Sequence, residues 1–108
     1  MQIEYMQAGP YANVELDGSV LHVAGISIDI SARQADSQVI IDITQQGAAI
    51  VEGLGRQGSY VASILIPPKE YEDLDTGERR PLPLDTNRIG LKLWQLKPQG
   101  NPNRGGIA

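Results

Sequence analysis

At 108 residues and 11.7 kDa, with 41% hydrophobic and 20% charged residues, the chain has the size and apolar content of one folded domain around one core, which argues against general disorder and against two independent domains. No cysteine is present, so disulfides, thiolate nucleophiles and thiolate metal sites are excluded, and a reducing cytosol is mildly favoured. The net charge of −4 and pI of about 4.8 offer phosphates no attractive field and speak against a nucleic-acid partner.

In chain order, the first segment, Met1-Gln2-Ile3-Glu4, has neither the basic start nor the apolar stretch of a signal peptide. No apolar run approaches the roughly 20 residues needed to cross a bilayer. A soluble chain made in the cytoplasm, without a membrane partner, is the expectation. Val14 to Leu16 and Val20 to Val23 flank Asp17-Gly18-Ser19, the pattern of a tight β-hairpin. Ile26, Ile28 and Ile30 alternate with Ser27, Asp29 and Ser31, the period of a half-buried strand. Val39, Ile41 and Ile43 repeat that period, and the polar stretch from Gln34 to Gln38 can reverse the chain between the two. Pairing of the two segments is predicted, which would put Asp29 and Asp42 on one outer face, in one register directly opposite.

Glycines crowd the region from Gly47 to Gly58 around Ala48 to Glu52, a short strand or a single helical turn. Gly53, Gly55 and Gly58 have the spacing of a phosphate loop, but that loop needs a strand to enter it and a helix to leave it. Here the β-rich run Tyr60 to Ile66 leaves it and stops at Pro67. Flexible turns between strands are the reading favoured over a nucleotide site.

Pro67 and Pro68 open a segment of different composition, since proline cannot donate to a sheet ladder. An acidic run, Glu70-Tyr71-Glu72-Asp73, is followed by the turn Asp75-Thr76-Gly77 and by Glu78-Arg79-Arg80 before Pro81-Leu82-Pro83. The segment reads as a two-stranded arm over 67–83, folded about Gly77 in the left-handed conformation, with the acidic side brought to the arginines. A strand re-enters at Asn87, with Ile89, Leu91 and Leu93 on one face and Arg88, Lys92 and Trp94 on the other. Residues 98–108 are rich in Gly, Pro and Asn, have little to bury, and read as a flexible tail. The expected organisation is one β domain over 1–97 that includes the arm, followed by that tail.

Chemistry finds little to work with. The single histidine, His22, falls on the outward face of its strand, so a nucleophile, base and orienting group are not suggested. One imidazole also cannot make a structural zinc site, and two strand aspartates supply too few oxygens for calcium. No cofactor, no metal and no catalytic residue is assigned. The residues that stand out are Tyr71, Asp73, Arg79 and Arg80 of the arm and Trp94 of the last strand, because Tyr, Trp and Arg are the side chains most used as anchors in protein contacts. Trp94 has a competing role in the core.

The expected fold is all-β, an antiparallel sandwich or partly open barrel of about six or seven strands with a projecting arm. The expected function is that of a non-enzymatic structural or interaction subunit, self-associating as a homo-oligomer or larger assembly through the arm and tail. That design is analogous to small β subunits of phage and prophage virions, an analogy of architecture without an identifying motif. Two other readings compete with it. One is a small-ligand or carbohydrate module using Trp94, Tyr60 or Tyr71 as a platform, and the other is a metal-dependent hydrolase in which Asp29, Asp42 and His22 converge.

Overall fold

The computed structural model describes residues 1–53 and 58–97. The β-branched runs form strands, ten among the described residues: β1 (Gln2–Tyr5), β2 (Val14–Asp17), β3 (Val20–Val23), β4 (Ile26–Asp29), β5 (Val39–Gln46), β6 (Ala49–Glu52), β7 (Ser59–Ile66), β8 (Tyr71–Asp73), β9 (Arg79–Pro81) and β10 (Gly90–Leu93). A single helical turn, α1 (Ile30–Arg33), follows β4, and a 3-10 turn over Thr86–Arg88 precedes β10. The fold is all-β, with strands arranged as β1-β10-β7-β5-β6, β2-β3-β4 and β8-β9. Every pairing is antiparallel except that of β1 with β10, which is parallel. The described strands close no barrel. Short edge hairpins raise the strand number above six or seven.

Two rows across the five-stranded sheet, Ile41–Ile64–Leu91 and Ile43–Ala62–Leu93, place apolar side chains on one face. All six are buried, and they form one cluster with Leu21, Val23 and Ile28 of the three-stranded sheet, with Ile30 of α1 and with Ile89. Residues of the second sheet thus share one buried cluster with the inner face of the first. Burying side chains of this size stabilises the fold by about 1.5–3 kcal/mol each relative to exposure.

The hairpin of β2 and β3 forms as expected, with Asp17 opposite Val20 and Gly18 at φ +60°. The segment after it departs from expectation. β4 pairs with β3 and not with β5, because Ala24 and Gly25, at φ +51° and +87°, turn the chain within two residues, as a primed hairpin turn requires. The predicted strand also ends at Asp29, whose Oδ1 accepts the Ala32 N–H at 3.3 Å and caps α1. Capping by a carboxylate competes well with one further strand residue, and it leaves Ile30 free to enter the core from a helical turn.

β5 instead takes β6 and β7 as neighbours. Asp29 and Asp42 therefore lie in different sheets and are not opposed. Asp42 accepts the Ser63 hydroxyl at 2.6 Å. The run from Ala49 to Glu52 is a strand, reached from β5 through Gly47 at φ +65°. β7 starts at Ser59, so a strand does leave the glycine-rich loop, whose residues 54–57 lie outside the described residues, as does the tail over 98–108. The last strand is shorter than predicted, because Asp85 accepts the Asn87 N–H at 3.0 Å and turns Thr86–Arg88 into a 3-10 turn.

Candidate interaction surface

The arm is built from its own sequence. β8 and β9 pair with Glu72 opposite Arg80 and Asp73 opposite Arg79, and Gly77 takes φ +88° in the connecting loop. The Leu74 N–H donates to the Glu78 carbonyl at 2.8 Å and the Gly77 N–H to the Leu74 carbonyl at 2.9 Å. The Leu82 N–H to Glu70 carbonyl bond, 2.8 Å, extends the ladder by one rung at the base. Arg80 pairs with Glu72, and Arg79 Nε lies 3.9 Å from Asp73. These contacts are solvent-exposed, of the class that contributes about 0.2–1 kcal/mol each, so they fix register more than they stabilise.

The base of the arm is anchored by groups distant in sequence. The Tyr71 hydroxyl donates to Asp36 Oδ1 at 2.6 Å, Lys69 N–H donates to the Ala35 carbonyl at 2.7 Å, and Arg88 pairs with Glu70. Gln34 Nε2 donates to the carbonyls of Pro67 and Pro68 at 3.0 and 3.2 Å. The Asp36 carboxylate accepts from the phenol and opposes a second negative charge beside it, which raises the Tyr71 pKa above its ordinary value. The Arg79 guanidinium carbon stands 4.4 Å from the centre of the Tyr71 ring, within cation–π range.

Of the five side chains singled out from sequence, the structure brings four together, Tyr71, Asp73, Arg79 and Arg80, on one hairpin. Tyr71 is half-buried with its hydroxyl engaged, while Asp73, Arg79 and Arg80 are exposed. Trp94 lies apart, beside the five-stranded sheet, stacked on Tyr60 with ring centroids 4.8 Å apart and planes 25° apart. Each of these two rings covers a face of the other, which leaves a smaller flat platform than two free aromatics would present. Sequence reasoning missed Asp36 and Arg88, which anchor the arm. A polar residue 35 positions away carries no local signal of that pairing.

His22 Nδ1 lies 2.8 Å from Ser27 Oγ across the β3–β4 pair. It shares no sheet with Asp42. Among the described residues no group of three or more His, Asp or Glu is placed to hold a metal ion, and no helix is long and apolar enough to cross a membrane. No family model matches the chain, and neither a curated protein nor a solved structure matches it.

Proposed function

We propose that this protein is a non-enzymatic assembly subunit, an open two-layer β sandwich that offers its β8–β9 arm to a second copy of itself or to a neighbouring protein. The observation that carries the reading is the arm itself: thirteen residues, 70–82, that form a hairpin joined to no other strand among the described residues. Such a hairpin keeps unpaired edge groups that can add to a partner's sheet, and its tip exposes Asp73, Arg79 and Arg80. The anchors at Tyr71, Lys69 and Glu70 hold its base, so less ordering entropy is lost on binding than with a free loop. A structural component of a phage or prophage virion is the kind of subunit this design suits.

The test is light scattering after size exclusion on the full chain and on a variant in which Glu72 to Arg80 is replaced by a short turn, leaving Tyr71 and its anchor in place. An oligomeric parent and a folded monomeric variant support the arm as the assembly element. Folded monomers in both cases remove self-assembly through the arm.

A further inference from the structure

The five-stranded sheet has a second face, opposite the core, on which Ile40 and Tyr60 remain 57% and 42% exposed. Its side chains follow from register. One row across β5, β7, β10 and β1 reads Ile40, Leu65, Gly90, Gln2, and the next reads Asp42, Ser63, Lys92, Glu4. About β7 as the midline, the β5–β7–β10 part of each row is complementary to its own reverse. In the first, Ile40 protrudes on one side while Gly90, on the other, leaves a hollow of about 260 Å³ bordered by Gln2, Glu4, Leu65 and Lys92. A Cβ at Gly90 would stand 3.2 Å from the Leu65 Cβ, so Leu65 approaches this glycine closely and forms one wall of the hollow. In the second row, a carboxylate on β5 and an ammonium on β10 flank Ser63 at equal strand separation.

We propose that this outer face pairs with the same face of a second copy of the chain, about a two-fold axis running along β7. That rotation exchanges β5 with β10 while keeping the rows. Ile40 of one copy then enters the hollow over Gly90 of the other, and Lys92 meets Asp42, each contact occurring twice as an isologous interface requires. Leu65 meets Leu65 on the axis. With strands about 4.8 Å apart and rows about 7 Å apart, the complementary patch of three strands and two rows covers on the order of 200 Å² per copy, below the roughly 800 Å² of a standard interface. The pairing alone is therefore weak and transient. It is separate from the arm, and both contacts in one chain would build an assembly larger than a dimer.

Sedimentation equilibrium of the full chain from about 10 µM to about 1 mM tests it, with Ile40→Lys, Lys92→Asp, Asp42→Lys and the double exchange Asp42→Lys with Lys92→Asp. Each single variant is expected to weaken association at least tenfold, and the double exchange to restore it, because Lys92 and Asp42 meet only between copies. Asp42→Lys also removes the acceptor of Ser63. Should it fail to fold, Ile40→Lys and Lys92→Asp still decide the matter, together with intermolecular nuclear Overhauser contacts between Ile40 methyls and Gly90 in a half-labelled sample. A monomer at the highest concentration overturns the pairing, as does association unchanged in folded Ile40→Lys and Lys92→Asp. Intermolecular contacts confined to residues 72–80 would likewise overturn it while leaving the arm reading intact.

Discussion

Replacing Gln45 with Leu removes a clamp that holds the last described residues to the sheet. The Gln45 side chain is 5% exposed in residue terms; its Oε1 accepts the Lys97 N–H at 3.1 Å and its Nε2 donates to the Lys97 carbonyl at 3.1 Å. Leu is close in size, so the cavity contribution is small and the change reads chiefly these two hydrogen bonds, since the third, from Nε2 to the Gly47 carbonyl, is long at 3.5 Å. At about 0.5–1.5 kcal/mol each they sum to about 1–3 kcal/mol, and since Lys97 is exposed water recovers part of the loss, leaving about 1–2 kcal/mol. With an urea m-value of about 1.5 kcal/mol/M for a domain of this size, the unfolding midpoint should fall by about 1 M at unchanged slope. Hydrogen exchange at the Lys97 amide should accelerate while that of Ile64, in the middle of β7, follows global stability.

Gln45→Glu sharpens the same test. Its carboxylate keeps an acceptor for the Lys97 N–H but sets an oxygen against the Lys97 carbonyl, and burial disfavours its charge. The folded-state pKa of the new group should therefore be raised. The penalty is then present above that pKa and relieved as the pH falls below it, where the neutral acid donates in place of the amide. A midpoint shift below about 0.2 M for Gln45→Leu, with Lys97 exchange unchanged, would refute the clamp.

Other consequences are simpler to read. Ala24 occupies φ +51°, a conformation that costs a non-glycine L-residue roughly 1 kcal/mol. Ala24→Asn should stabilise the chain by about 0.5–1 kcal/mol by supplying the Asn-Gly pair that this turn prefers, measured by urea denaturation. Arg33 donates two hydrogen bonds to Glu52, at 3.0 and 2.9 Å, joining α1 to the edge strand β6. The guanidinium hydrogen bond holds the Glu52 pKa below the usual carboxylate range. A depressed carboxylate contributes stability that is fully present above its unfolded pKa, about 4.3, and is lost as pH falls through the lower folded value. Both side chains are about two-fifths exposed, so the contribution is that of a surface pair, about 0.5 kcal/mol. Subtracting the pH dependence of Glu52→Gln from that of the parent isolates it.

Much of the local architecture was legible because it is encoded within a few residues. The Asp17-Gly18 turn, the buried period of Val39, Ile41 and Ile43, the stop of β7 at Pro67, and the arm closed about Gly77 with arginines facing carboxylates all follow from turn chemistry and side-chain alternation. The arm residues Tyr71, Asp73, Arg79 and Arg80 were brought to one hairpin by that same local register.

Sheet partnership was not legible in this way. Ile26–Asp29 has the same alternation as β5, and alternation tells which residues face inward without telling which strand lies alongside. The choice went to β3 through the two-residue turn at Ala24-Gly25, with Asp29 spent on capping α1, and this separated two aspartates that the pattern alone would have placed together. β1 shows the limit most plainly. Its four residues are all exposed, so it has no buried period to detect, and it exists because the edge of β10 offers unpaired backbone groups about 88 residues further along the chain. The amino-acid order settled which segments extend, where they turn and which faces are apolar, since those depend on neighbours in the chain. Strand order, the anchoring of Tyr71 by Asp36 and the complementary rows of the outer face were decided by the tertiary structure, because backbone hydrogen bonds and distant side-chain contacts are chosen only once the whole chain is packed.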